Sequence, residues 1–300
     1  MSPARSDDAW PGCHGVRVEG ATIAIGASQG IPLAFATVRF GEVEPPNGQQ
    51  LWSQNGEAAA MFRRPDGRLV LAGPKAAALE VDPRDASVTI APGDDAVQRQ
   101  LVASFGLPLL LHGLDVLLVH GSSCARDGKA IVVCADSGSG KSSVLVRLVD
   151  EGWSSLSEDV VTIDLRGDTA QVWPGPPWVR VAHGEPGPRD MARAFDSADK
   201  TAWDVSAVQA TGPVDLARVV LLEAPGGDAP ALDAMSRADA LRALARHAVW
   251  LQDPDDRGRE LFGRVAKLLT KAPAVRLRLP RRDEWRDSVP ELVTAGTFST

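Results

Sequence analysis

The stretch Ala135-Asp-Ser-Gly-Ser-Gly-Lys141-Ser142 follows directly on the apolar run Ala130-Ile-Val-Val-Cys134. No other feature constrains the fold as tightly. A buried strand that breaks into glycines and restarts as a helix places a curled backbone at a sheet edge. Gly138 and Gly140 let that backbone turn its N–H groups inward, toward phosphate oxygens. Lys141 adds a point charge for the β- and γ-phosphates, and the Ser142 hydroxyl is placed to bind Mg²⁺. The helix expected over Ser142–Val149 offers its N-terminal dipole to the same anion. Asp136, Ser137, Ser139 and Ser143 complete the expected nucleotide-binding loop. The motif departs from the usual pattern at Ala135, where glycine is common.

Composition narrows the class. The chain has 300 residues, 44% of them hydrophobic and 24% charged, ordinary values for a globular protein with ample core. A net charge of −7 argues against general nucleic-acid or anionic-membrane binding, so an anionic ligand needs a local basic site such as the Lys141 loop. Cys13, Cys124 and Cys134 show no metal-type spacing. Cys134 ends a buried strand, which suits a reducing compartment. The first ten residues contain no apolar segment of signal type, and Leu107–Val119 is broken by His112, Gly113 and Asp115. A cytoplasmic protein without a membrane span is expected.

The first 95 residues read as β-rich. Strand-like runs at 16–18, 32–40, 57–62 and 68–71 are separated by Pro45-Pro-Asn-Gly48 and Pro65-Asp-Gly67 turns. No catalytic constellation stands there, and His14 reads as a surface residue. From 96 the pattern changes: Val97, Leu101, Val102, Phe105 and Leu109 recur at helical spacing. Asp127-Gly128 then marks a hairpin whose second strand enters the glycine loop. Gly152 reads as the stop of the loop helix. Strands are expected at 154–157 and 160–165, around Glu158-Asp159. Farther on come a strand at 218–223, helices at 237–250 and 257–269, a strand at 275–279 and a last short helix.

Glu158 lies seventeen residues after Lys141, one helix and one strand on, which brings the carboxylate pair beside the loop. One carboxylate can serve a metal ion and the other a substrate hydroxyl. Adjacent strand residues point to opposite faces, which gives the base role to Glu158 and a Mg²⁺- or His120-supporting role to Asp159. Asp164, at the end of an apolar run, is a competing metal ligand.

His120-Gly-Ser-Ser-Cys124, the 135–142 loop, Gly152 and Ser157-Glu-Asp159 resemble, in order and spacing, the catalytic domain of the HPr kinase/phosphorylase family. The resemblance covers about 107–165. It implies an α/β fold: a P-loop-containing, PEP carboxykinase-like domain with a mixed sheet over 96–300, after a β-rich region over 1–95. It also implies an ATP- and Mg²⁺-dependent kinase that transfers the γ-phosphoryl group to a hydroxyl, with Ser of a peptide or small protein as acceptor. Among the small divergent members are ones that modify natural-product precursor peptides. A small-molecule alcohol kinase of the same fold and a nucleotide-dependent switch are the alternatives. Carried over by position, Lys141 and Ser142 take the phosphate and metal roles, and Glu158, Asp159 and His120 the catalytic ones, with Asp159 also toward the metal. The longer Glu158 stands where the family has Asp, and the family's later basic loop is not recognisable. Arg180 and Lys200, the latter expected in a loop, are further candidates for phosphate or substrate. Trp173, Trp178 and Trp203 near them read as packing, and Arg242 and Arg246 as the solvated face of a late helix.

Overall fold

The computed structural model describes residues 16–19, 34–54, 59–73, 77–111, 115–136, 138–197, 199–223, 229–249, 254–280 and 288–298. Cys13, His14 and Ser137 lie outside the described residues. Contacts divide the chain into two compact units, Met1–Leu114 with Leu251–Arg257, and Asp115–Trp250 with Gly258–Thr300. The short helices that the sequence reading places at the start of the catalytic domain therefore count with the first unit.

That unit is a mixed seven-stranded sheet with the order β1-β2-β7-β6-β5-β4-β3. Its strands are β1 (Val16–Glu19), β2 (Ala34–Phe40), β3 (Gln49–Gln54), β4 (Ala59–Arg63), β5 (Leu69–Ala72), β6 (Ala77–Asp82) and β7 (Ser87–Ile90). β3, β6 and β7 escape the sequence reading. The Gln of β3 and the Ala, Glu and Asp of β6 are poor strand formers, and cross-strand neighbours place them in the sheet, whereas Val88-Thr-Ile90 of β7 carried a usable strand signal. The predicted single helix is α1 (Asp95–Leu101), a π-helical turn at Val102–Gly106 and α2 (Leu107–Leu110). Gly106 packs close to β7, since a Cβ there would meet Val88 at 3.0 Å.

The second unit is built on a mixed sheet of the order β11-β10-β8-β9-β15-β17-β16. Its strands are β8 (Val116–Arg126), β9 (Lys129–Cys134), β10 (Ser154–Asp164), β11 (Gln171–Trp173), β15 (Val214–Glu223), β16 (Ala231–Ala234) and β17 (Ala274–Arg278). A separate three-stranded sheet holds β12 (Trp178–Ala182), β14 (Lys200–Asp204) and β13 (Arg193–Asp196). The helices are α3 (Lys141–Asp150), α4 (Arg237–His247), α5 (Pro254–Lys271) and α6 (Val289–Phe298). β11 pairs with β15 as well as β10, so the pairings β11-β10-β8-β9-β15 close on themselves.

The continuous apolar run of β9 has a simple cause: both faces are covered. Ala130, Val132 and Cys134 join the core beneath α4 and α5, while Ile131 and Val133 join the core beneath α3, α6 and β12. Burial pushes the Cys134 thiol up to about 12, so it packs as a small apolar group. The β8–β9 hairpin turns at Asp127 and Gly128, with φ of 51° and 73°, as the sequence pair requires. α3 ends on Gly152 (φ 84°), with Gly152 N–H bonded to Val149 O and Trp153 N–H to Leu148 O, a Schellman closure. Among the described residues no helix is long and apolar enough to cross a membrane.

Candidate functional site

Three adjacent strands set the stage. Asp159 of β10 lies opposite Gly121 of β8, and Gly121 lies opposite Cys134 of β9. One row across the sheet thus aligns the carboxylate pair, His120 and the root of the glycine loop. Gly121 is needed there: a Cβ would come within 2.9 Å of the Val133 carbonyl oxygen.

The loop leaves β9 at Ala135, which is fully buried in the core under α3 and takes no positive φ. That position therefore accepts a methyl group. Gly138 and Gly140 have φ of 78° and 90°, and Ser139 N–H donates to Asp136 O at 3.2 Å. Nothing lies within 4 Å of a Cβ added at either glycine, so both have open space beside them. Gly140 is the N-cap of α3 and carries no side chain to occupy the first helical amides. Ser142 and Ser143 sit half-buried in the first turn, and Asp136 is exposed.

A continuous chain of polar contacts runs from this loop. Lys141 is buried, and its Nζ lies 2.8 Å from His120 Nε2. His120 Nδ1 lies 3.3 Å from Asp159 Oδ1. The His120 ring thus bridges the Lys141 ammonium and the Asp159 carboxylate. Arg180 Nη2 pairs with Asp159 Oδ2 at 2.6 Å, and its Nε with Glu158 Oε2 at 3.1 Å. Lys200 Nζ approaches Glu158 Oε1 at 3.9 Å.

The pKa directions follow from this packing. Burial lowers the Lys141 ammonium, with Glu158 and Asp159 opposing. Burial would raise the Asp159 carboxyl, but the hydrogen bond from His120 and the charges of Arg180, His120 and Lys141 hold it well below the usual range. For Arg180, burial opposes the charge, and Glu158 and Asp159 more than restore it. Three cations face two carboxylates, a surplus that suits a polyphosphate.

The structure corrects several expectations. Glu158 and Asp159 are not a turn between strands but lie inside the continuous β10. They do not diverge to opposite faces either. Asp159 adopts φ 78°, a left-handed value that interrupts the pleat, and Arg180 reaches both carboxylates. Such a conformation costs about 1–3 kcal/mol, and the surrounding ion pairs hold it. The Glu158 side chain is 1% exposed and that of Asp159 22%. Asp164 is engaged elsewhere, clasped through both oxygens by Arg166 at 3.0 and 3.1 Å. Lys200 lies on strand β14 rather than in a loop, in register with Ala182 beside Arg180 on β12. Trp173 and Trp178 are buried, with Trp178 edge-on to Phe195. Arg242 and Arg246 lie on the exposed face of α4, as expected, and also line a cleft with Asp136.

His247 escaped the sequence reading because it sits at the end of an unremarkable amphipathic helix. Arg180 had a usable signal: a guanidinium within the apolar strand Trp178-Val-Arg-Val181 demands a buried anionic partner.

No protein-family model matches the chain, and no curated protein matches it. Among solved structures, the chain is similar to the Hpr(Ser) kinase/phosphatase from Coxiella burnetii. That likeness has a TM-score of 0.36 and 11% identity, and covers 60% of this chain and 95% of the other.

Proposed function

We propose that the second unit is a P-loop kinase that binds ATP and transfers the γ-phosphoryl group to a hydroxyl. The observation that carries this reading is the convergence of Lys141, His120, Asp159 and Arg180 at the root of an open glycine loop. The loop also fits the nucleotide: positive-φ glycines with open space beside them and uncapped helix amides are what a triphosphate requires.

Mg²⁺ fits as a partner of the phosphates. Among the described residues no group of three or more His, Cys, Asp or Glu could hold a metal on its own. Mg²⁺ in nucleotide sites takes only one or two protein ligands and completes its shell with phosphate and water. Ser142 and Asp159 are the residues that would hold it, and when bound it neutralises charge on the β- and γ-oxygens.

The protein's own groups then divide the work. Loop amides and Lys141 hold the phosphates, and Arg180 adds a planar cation next to Asp159. Of the two carboxylates, Asp159 is the one an acceptor hydroxyl can reach. It is partly exposed, whereas Glu158 is sealed between Arg180 and Lys200, where its charge positions both cations. In the reaction a new bond forms between the acceptor oxygen and γ-phosphorus. The bond from γ-phosphorus to the β–γ bridging oxygen breaks, ADP departs with the electron pair, and the hydroxyl proton passes to Asp159. The resemblance favours Ser of a peptide or small protein as acceptor. The cleft beside Asp136 favours the second reading, a small-molecule alcohol.

Titration calorimetry with Mg·ATP on wild type and Lys141→Ala tests the assignment. Micromolar binding in wild type that falls at least tenfold in the variant is expected. Equal affinity in both proteins would remove the nucleotide cradle.

A further inference from the structure

A cleft of about 430 Å³ opens beyond the carboxyl ends of the parallel strands β9 and β15, beside β17 and under α4. Ligand crevices recur at the carboxyl ends of parallel strands in α/β folds, open or closed. The polar lining includes Asp136, Glu223, Arg242, Arg246, His247 and Arg276. Two of the arginines are committed. Arg276 Nε pairs with Glu223 at 2.7 Å, and Arg242 Nη2 with Asp239 at 2.6 Å. Arg246 has no ion-pair partner among the described residues. Its neighbour His247 is held below the ordinary imidazole value, first by burial, then by the charges of Arg246, His120 and Lys141, with Asp136 opposing. The cleft therefore shares its electrostatic field with the glycine loop and the His120 cluster.

Which end of the nucleotide this cleft adjoins follows from the loop. Amides at the start of α3 suit the inner phosphates, and the lysine side chain marks the γ end. The end of α4 lies against β8, where Ala248 bridges Val119 next to His120, and Asp136 of the loop lines the cleft, so the cleft lies on the γ side, where the acceptor must enter. Its volume matches a small molecule.

We propose that this cleft is the acceptor site and takes a small hydroxyl compound bearing a carboxylate or phosphate group, bound by Arg246. This rests on the reading of the loop as the donor site. Arg246 offers a forked, permanently charged donor to either anion.

The test uses the full chain with three probes that differ only in the anion: glycerol, glycerate and glycerol 3-phosphate. ADP formation with Mg·ATP should show a KM at least tenfold lower for an anionic probe than for glycerol, and the two anionic probes separate carboxylate from phosphate. Arg246→Gln should raise that KM by about 10–100-fold, the range for a charged hydrogen bond. A readout independent of turnover is the NMR titration of the His247 ring, assigned with His247→Gln. An anionic probe should raise its pKa in wild type and not in Arg246→Gln. A ring unmoved by either anion, equal KM for glycerol and glycerate, or a ratio unaffected by Arg246→Gln would overturn the proposal. Turnover of an uncharged serine peptide in preference to all three probes would do the same. Absence of Mg·ATP binding in wild type would instead remove the kinase reading, and with it the name acceptor site, while the His247 readout still reports on anion binding.

Discussion

Each unit of the chain buries an arginine against two carboxylates, and the two arrangements do different things. In the first unit Arg64, 6% exposed, bonds Glu44 at 2.8 Å and Glu80 at 3.2 Å. Glu44 is largely in solvent, and Glu80 is shared with Arg68 at 3.3 Å. In the second unit Arg180, 8% exposed, bonds Glu158 and Asp159. Burial and pairing alone do not distinguish them. What differs is the surroundings. Around Arg64 four acids, Glu44, Asp66, Glu80 and Asp82, outnumber the two arginines Arg64 and Arg68. Around Arg180 the cations exceed the acids, a histidine extends the chain of contacts, and a glycine loop lies open at its end. A charged network becomes a binding site when it leaves charge unspent next to room for a ligand.

The largest effect expected from this comparison is on stability. Arg180→Met leaves Glu158 buried without its guanidinium, and breaking a buried pair from one side costs about 3–5 kcal/mol. Arg64→Met lets Glu44 relax into water and leaves Glu80 with Arg68, so a cost of about 1 kcal/mol is expected, that of an ordinary surface ion pair. Denaturant melts of the two variants measure the contrast, and equal losses would erase the distinction drawn here.

The next effect is on rate. Asp159→Asn keeps a side chain that tolerates left-handed φ but removes the charge that serves as base, pairs with Arg180 and faces Mg²⁺, so single-turnover transfer should fall at least ~10²–10⁴-fold, with weaker Mg·ATP binding beside it. Glu158→Gln should lose less in rate and more in melting temperature, because it loosens Arg180 and Lys200. The reverse pattern would restore Glu158 as the base.

Two smaller effects concern pH. The Asp159 carboxyl is depressed in the folded state, so its contribution is fully present above the unfolded value of about 3.9. That contribution is lost as pH falls through the folded value. Stability of wild type and Asp159→Asn should therefore converge on acidification. His247 is also depressed, and for an imidazole this means the unfolded chain takes up the proton first. Full stability holds above about 6.5 and declines as pH falls below it. His247→Gln should flatten that part of the profile in melts between pH 7.5 and 5.

Much of the second unit was legible in the sequence because its signals are local. The apolar run of β9, the Asp127-Gly128 turn, the loop glycines and Gly152 each dictate backbone geometry within a few residues. The approach of His120 to Lys141 was implied by the family resemblance, not by any local signal. The reach of Arg180 and Lys200 did not, because it depends on β12 and β14 folding as a small sheet beside β10. The left-handed Asp159 was invisible for a related reason: alternation is the rule for a strand, and its breach is imposed by tertiary contacts. The cleft under α4 joins residues more than a hundred positions apart, from Asp136 to Arg276. Helical periodicity could only report that Arg242 and Arg246 face away from the core of α4.

The closed circuit of pairings has a consequence for how the protein is made. β9, which carries the glycine loop, is bonded on one side by its hairpin partner β8 and on the other by β15, in the register Lys129 to Asp215 through Cys134 to Leu221. A ribosome releases the two edges of that strand at different times. Until the chain beyond 214 has emerged, β9 presents an unsatisfied, apolar edge, and the loop hangs from a strand held on one side only. Such an edge invites pairing with another nascent chain. The loop strand thus acquires its final rigidity from one of the later segments to leave the ribosome, and truncated translation products ending before β15 are the species most prone to aggregate.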